Sequence, residues 1–222
     1  MNGFFKLLQS YSSPNVFNPW TDTDEQFDIP GQGPAKRLER LKAHLACEPL
    51  VVLTGEAVGH LGARRSGIAF TSERLICEGA IPRVSTQGQR ITSRRLPFSE
   101  PSATIIWGAL HLHGLADRAI LWNAFAWHPH DPGDGQTNRT PTAGELDAGK
   151  EVFRALLSHF HGVPVVAVGR TSEGLLSKLG IATDGSIRHP ANGGASECRL
   201  GIADWAQRTD ALSTSTDFSL TG

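Results

Sequence analysis

Short apolar runs alternate along the chain with segments whose apolar residues recur at helical spacing. Residues 50–54 are almost all apolar and end at Gly55, a pattern typical of a buried parallel strand. Three further strands are predicted at 118–125, 163–168 and 186–189. Helical spacing predicts a short helix before residue 11 and further helices over 36–47, 100–115, 142–159, 171–179 and 196–208.

This order of elements predicts an α/β fold, because strands that alternate with helices usually build a parallel sheet covered on both faces. We expect a three-layer α/β/α sandwich around a four-stranded, mostly parallel sheet. The length of 222 residues suits one domain over 1–222, in which residues 1–35 form an N-terminal helix and an irregular extension. Thr142 and Glu145 have the spacing of a capping box, which predicts where the helix after the longest polar loop begins.

Charge is distributed unevenly although the formal net charge is only -1. An acidic cluster (Asp22, Asp24, Glu25 and Asp28) lies in another part of the chain from the basic segment between His60 and Glu100. A local basic face of this kind can hold phosphates on a neutral protein. The arginines of that segment are Arg64, Arg65, Arg74, Arg83, Arg90, Arg94 and Arg95.

The apolar runs are too short to cross a bilayer, and the apolar stretch at the N-terminus is too short for a signal peptide. We therefore expect a cytoplasmic protein without a membrane partner. Three widely spaced cysteines (Cys47, Cys77 and Cys198) argue against a disulfide framework and against a four-cysteine metal site, and we expect buried reduced thiols. The His128–His130 pair lies in a predicted loop, and we expect no metal there.

Unusual polar and aromatic residues follow the predicted strands, where ligands of parallel sheets bind. The segments are 55–59 with 64–70, 122–129 and 188–191. They resemble the three motifs of the uracil-DNA glycosylase superfamily, in the same chain order. The first is most similar to the branch that reads Gly-Glu-Ala-Pro-Gly, with Val58 in place of the proline, and residues 138–142 also look like that branch.

The resemblance implies a monofunctional uracil-DNA glycosylase of base excision repair, which flips uracil out of DNA and hydrolyses its N-glycosidic bond. Such a reaction needs a carboxylate, a histidine, an amide and an aromatic platform. By resemblance, Glu56 orients the water and His189 stabilises the departing base anion. In several branches of the superfamily the acidic or amide residue is one position later, where this chain has Ala57. The predicted base-binding residues are Asn123, Phe70, Gly55, Ala57 and Ile68.

Contacts to the DNA backbone are expected from side chains near these motifs. Arg64 and Arg65 carry positive charge, and Thr171 and Ser172 stand at a predicted helix N-terminus, which favours phosphate. Asn192 follows the histidine motif and is expected to contribute as well. The predicted partner is DNA that contains uracil or another deaminated base, and we expect the chain to act as a monomer.

Some branches of the superfamily carry an iron–sulfur cluster held by four cysteines. This chain lacks the N-terminal cysteine pair, and Trp127 stands where a further ligand would be. We therefore expect no cofactor.

Two other functions remain open from the sequence: a glycosylase for hypoxanthine or xanthine, and a non-catalytic α/β module that binds nucleotides or DNA. Base extraction is a further question, because the loop 190–196 has only small or polar side chains where many members insert an apolar wedge. The arginine-rich stretch 83–95 is an alternative source of a wedge.

Overall fold

The computed structural model describes residues 1–85 and 90–217, with backbone alone over 209–217. Its strands are β1 (Val16–Phe17), β2 (Val51–Ala57), β3 (Ala119–Phe125), β4 (His128–Pro129), β5 (Val165–Val168) and β6 (Gly185–Ile187). The central sheet is parallel throughout, with the strand order β3-β2-β5-β6. A separate antiparallel pair is formed by β1 and β4.

Helices cover both faces of this sheet, which confirms the predicted three-layer α/β/α sandwich. None of the helices in the ranges described is long and apolar enough to cross a membrane. The helices are α1 (Asn2–Ser10), α2 (Gly33–His44), α3 (Ala63–Ser66), α4 (Glu73–Cys77), α5 (Pro101–Leu112), α6 (Ala143–Leu157), α7 (Arg170–Lys178) and α8 (Ala195–Asp217).

Alternate residues of β2, β3 and β5 enter two apolar layers on opposite faces of the sheet, because side chains of a strand point to alternate sides. Val52 and Ile120 pack with helices α1, α2, α6 and α7. Leu53 and Leu121 pack with helices α4, α5 and α8 on the other face. The strands β2, β3 and β5 are thus buried on both faces at their centres, as is usual for parallel sheets. In the edge strand β6, Ile187 is buried but Ser186 is exposed.

The capping box, which depends only on residues close together in the sequence, is as predicted, whereas the extent of β2 differs from the prediction. Glu145 N–H donates to the Thr142 hydroxyl and Thr142 N–H to the Glu145 carboxylate, so the capping box at the start of α6 is confirmed. The strand predicted at 50–54 is longer than expected, because pairing with β3 continues as far as Ala57 opposite Phe125. Glu56 therefore belongs to a strand end rather than to a loop.

The irregular segment after α1 is tied to the rest of the molecule by hydrogen bonds and by the β1–β4 pair. The Trp127 indole N–H donates to the carbonyl of Leu8 at 3.0 Å. The Asn18 side-chain amide donates to the same carbonyl and to that of Tyr11, both at 3.0 Å. Buried polar atoms thus hold in place a segment that has little regular structure of its own.

Buried ion pairs join the acidic cluster to arginines that are distant in the chain. Asp24 binds both Arg64 and Arg65, and all three side chains are nearly inaccessible to solvent. Asp28 binds Arg37 at 2.8 Å, again with both side chains buried. The segment that precedes α2 is therefore fastened to α2 and α3 by paired charges, whose separation would leave a charge uncompensated in the interior.

We predict that Asp24→Asn lowers the free energy of unfolding by about 3–5 kcal/mol, because it leaves two buried guanidinium groups without their carboxylate. Burial alone would raise the pKa of Asp24, but Arg65 and Arg64 outweigh burial and hold that pKa below its usual value. The stabilisation is therefore present above about pH 4 and is lost as the pH falls through the lowered pKa.

Urea unfolding followed by tryptophan fluorescence measures this loss. Glu78→Gln is the matched control, because Glu78 forms an exposed ion pair with Arg74 on one short helix and should change stability by less than about 0.5 kcal/mol. Equal stabilities for Asp24→Asn and the control would contradict the structural role of the buried pair.

Candidate active site

A cleft of about 600 Å³ opens beyond the carboxyl ends of the parallel strands. This is the edge where ligands of such sheets bind, because the strand ends leave backbone and side chains unpaired there. The side chains and backbone that line the cleft come from the ends of β2, β3, β5 and β6, from the N-terminus of α7, and from the loops around Glu100 and Asn138–Thr140.

Asn123 and Phe70 meet across Gly55 at one side of the cleft. Gly55 pairs with Asn123 in the sheet. A Cβ atom on Gly55 would lie 2.5 Å from Phe70 Cζ and 2.6 Å from Asn123 Oδ1, so only glycine leaves room for both side chains. Within the described residues no hydrogen bond occupies the Asn123 amide. A planar ring and an unused donor and acceptor are therefore presented side by side.

His189 lies in the same cleft with its ring centroid 6.2 Å from that of Phe70. The Ala191 N–H donates to His189 Nδ1 at 3.1 Å, so the proton of the neutral ring is on Nε2. Burial lowers the pKa of His189, and Arg188 lowers it further. The ring is therefore neutral at pH 7 and offers one N–H donor.

Glu56 contributes a carboxylate at the end of β2. Because side chains alternate along a strand, Glu56 is on the face of β2 opposite to Gly55. Glu56 and its neighbour Ala57 both line the cleft. Among the described residues, the Glu56 side chain forms neither a hydrogen bond nor an ion pair. The cleft thus combines an unpaired carboxylate with a neutral histidine donor and an amide.

Of the two residues at the N-terminus of α7 that were predicted to contact the DNA backbone, one is exposed and the other is buried. Thr171 is exposed in the cleft, but Ser172 is buried and its hydroxyl donates to the carbonyl of Thr54 at 2.6 Å. The Ser172 side chain therefore holds α7 against β2 and is not available to a phosphate.

Asn192 is exposed at the rim, in the left-handed backbone conformation with φ +52°.

Burial contradicts the predictions that Ile68 contacts the base and that Arg64 and Arg65 bind the DNA backbone, because none of these three residues lines the cleft. Ile68 is fully buried in the core, and its N–H and carbonyl are both bonded to the Ser66 hydroxyl. Arg65 is wholly inaccessible and Arg64 is 7% exposed, and both are bound to Asp24. Both guanidinium groups are bound to one carboxylate in the interior and are shielded from solvent, so neither can act as a phosphate ligand on the surface.

Other cations surround the cleft instead. Arg170 and Arg188 are exposed at its rim and Arg139 lines it, paired with Glu145. Arg170 immediately precedes Thr171 and Arg188 immediately precedes His189, both of them predicted site residues. This position in the sequence could have identified the two arginines as cations of the site. Glu100 also lines the cleft, although no motif of the sequence pointed to it.

The donor set does not fit an iron–sulfur cluster or a bound metal. Cys47 packs against the apolar layer on one face of the sheet, and Cys198 lies in the layer on the other face. No group of three potential metal ligands occurs in the ranges described. His128 is buried with both ring nitrogens in hydrogen bonds, to Arg64 and to the carbonyl of Thr137.

Comparison with known proteins agrees with this geometry. The family model of the Uracil DNA glycosylase superfamily matches residues 42–212. The crystal structure of wild-type SMUG2 from Pedobacter heparinus has a similar fold, with a TM-score of 0.61 and 14% sequence identity over 96% of this chain and 97% of that one. No curated protein matches the chain.

We predict that His189 titrates below pH 6.5 and that Arg188→Gln raises its pKa without bringing it above 6.5, because burial is the larger cause of the shift. The measurement is an NMR pH titration of the His189 ring proton resonances. Arg199→Gln, an exposed arginine of α8, is the matched control and should leave the midpoint unchanged. A wild-type midpoint above 6.5 would contradict the neutral donor.

Proposed function

The chain belongs to the Uracil DNA glycosylase superfamily, and we propose that this DNA glycosylase is a monofunctional enzyme that hydrolyses the N-glycosidic bond of uracil in DNA. The product would be free uracil and an abasic site. The observation that carries the proposal is the meeting of Asn123, Phe70 and His189 in one cleft, with the Asn123 amide unused and Gly55 leaving room beside it.

Recognition of uracil follows from the donor and acceptor of Asn123. Uracil presents a carbonyl and an N–H on the edge where cytosine presents an amino group and an acceptor nitrogen. A side-chain amide in one orientation pairs with the first pattern and not with the second. Phe70 would stack on the flipped base, since an aromatic face is the usual platform for a base taken out of the helix.

Bond cleavage requires stabilisation of opposite charges on the base and the sugar. His189 Nε2–H would donate to uracil O2 as negative charge develops there, and a donor held in place before the reaction is worth most in this role. Glu56 would face the sugar, where a carboxylate stabilises positive charge and orients the attacking water. The neutral state of His189 suits this role, because it donates one hydrogen bond and needs no prior proton uptake.

The DNA backbone would be held by the cations of the cleft rim rather than by Arg64 and Arg65. Arg170 and Arg188 are exposed there, and Thr171 stands with Arg170 at the N-terminus of α7. The N-terminus of a nine-residue helix adds unpaired backbone N–H groups, which favour phosphate. These contacts would fix the register of the strand without reading its sequence.

The test is release of uracil from oligonucleotides by the purified protein in the presence of EDTA, followed by alkaline cleavage of abasic sites. Parallel substrates contain hypoxanthine or xanthine. His189→Ala should lower the single-turnover rate by about two to three orders of magnitude, as loss of an oxyanion-type donor does. His161→Ala, on an exposed turn after α6, is the control. Absence of any base release, or a near wild-type rate for His189→Ala, would refute the proposal.

Base extraction provides a second prediction. The loop 190–196 exposes Ala191, Asn192 and Gly193, and none of them is a large apolar side chain that would fill the vacated stack. The alternative stretch 83–95 includes residues 86–89, which lie outside the described residues. Unstacking costs a few kcal/mol and least for a mispaired or single-stranded base, so uracil in single strands or opposite guanine should be released faster than uracil opposite adenine.

Single-turnover rates on the three substrates at one salt concentration measure this preference. The salt is held constant because phosphate contacts make affinity strongly dependent on it. Equal rates for single-stranded uracil and uracil opposite adenine would show that some other side chain offsets the cost of unstacking.

A further inference from the structure

Glu100 places a carboxyl group in the wall of the cleft, at a position for which the sequence has no motif. It is the residue before Pro101, at the start of α5, and its carboxyl lies over two glycines of the loop that follows β2. A Cβ atom on Gly59 would lie 3.4 Å from Glu100 Oε1, and a Cβ on Gly62 would overlap the carboxyl. The two glycines thus provide the space that the carboxyl occupies.

This carboxyl has no partner within the described residues. Glu100 Oε2 is buried and accepts no hydrogen bond, and the side chain does not cap α5. Its backbone carbonyl, in contrast, is used by the Thr104 N–H in the helix. Buried polar atoms of native proteins are nearly always bonded, so an unbonded one in a cleft indicates a group whose partner arrives with the ligand.

No charge compensates the carboxyl either. The loop that packs against the Glu100 carboxyl contains one titratable side chain, His60. On α5, Glu100 contacts Thr104, which carries no charge. The titratable and charged side chains of the same cleft are Glu56, His189, Arg139, Arg170 and Arg188. None of these groups forms an ion pair with Glu100 in the part of the chain that the structure describes. Burial raises the pKa of Glu100 to about 7. Entry of DNA would expel water and bring phosphates near, and both effects favour the protonated form.

We infer that Glu100 acts as a neutral carboxylic acid that donates a hydrogen bond to the flipped base, and that it thereby stabilises the negative charge that develops on the base. The inference rests on the proposed function. The proton stays on Glu100 throughout, so no proton transfer is involved. Uracil has two carbonyl oxygens that share the charge of its anion, and His189 is assigned to only one of them.

The protonation state of Glu100 distinguishes this role from that of a general base for the attacking water. An ionised carboxylate in the wall of the cleft would repel a base anion that forms in it, whereas a neutral carboxyl can donate to that anion. A carboxylic acid kept neutral by an apolar site is a known form of oxyanion donor. The two roles predict opposite pH dependence: a donor loses activity as the pH rises through 7, and a base gains it.

The experiment measures single-turnover release of uracil from a single-stranded oligonucleotide between pH 5.5 and 9 for the wild type, Glu100→Ala, Glu100→Gln and the control Glu78→Gln. Thermal melting checks that each variant is folded. At pH 6.5 the single-turnover rate of Glu100→Ala should be about ten- to a hundredfold lower than that of the wild type, because the variant lacks a donor to the developing negative charge. Glu100→Gln should restore most of that rate, because its amide N–H replaces the donor, and should abolish the decline of the rate above pH 7.

A second measurement follows the Glu100 carboxyl itself. In a carbon-13 NMR titration, addition of an abasic oligonucleotide with free uracil should move its midpoint upward if the protonated form donates to the base. A downward shift, a Glu100→Ala rate equal to the wild type, or a Glu100→Gln rate as low as that of Glu100→Ala would overturn the inference alone. Absence of base release by the wild type from every substrate would instead refute the proposed function, and the inference with it.

Discussion

The parallel pairing of β2 with β3 is the constraint on which the cleft depends. It sets Gly55 opposite Asn123 and continues to Ala57 opposite Phe125, so both strands end at the same edge. Because side chains alternate along a strand, a shift of one residue would turn Asn123 to the other face of the sheet. The missing side chain of Gly55 then allows Phe70 and Asn123 to approach each other. His189, which follows β6, and Thr171, at the N-terminus of α7, line the same cleft.

Arginine has two distinct roles in this molecule, and burial distinguishes them. Arg64 and Arg65 are neighbours in the sequence of a basic segment, but Asp24 draws both into the interior. They hold the irregular N-terminal segment against the loop that leads to Phe70. The cations of the cleft rim, such as Arg170 and Arg188, come from separate elements and remain exposed. A neutral overall charge is thus compatible with a local surface for phosphates, because part of the positive charge is neutralised inside.

The cleft also separates charges by their surroundings. His189 is kept neutral mainly by burial, and the Ala191 N–H selects the nitrogen that retains the proton. Two carboxyl groups share the cleft, but Glu100 is desolvated with no compensating cation, which favours its proton. In the proposed reaction this arrangement leaves Glu56 for the sugar cation and directs neutral donors at the base anion. Catalysis by donors held in place needs this kind of arrangement before the substrate binds.

The sequence by itself determined the order of the four sheet strands and of the six helices α1, α2, α5, α6, α7 and α8, the capping box at Thr142 and Glu145, and the three segments that supply Asn123, Phe70, His189 and Glu56. These follow from periodicity and from short motifs, which depend on neighbouring residues. The short elements β1, β4, α3 and α4 were not predicted. The sequence did not reveal the burial of Arg64, Arg65 and Ile68, the internal bond of Ser172, or the place of Glu100 in the cleft. Each of these depends on contacts between residues distant in the chain, such as Asp24 with Arg65 and Thr54 with Ser172. Exposure, and with it the state of a charge, is a property of packing, so only the tertiary structure decided it.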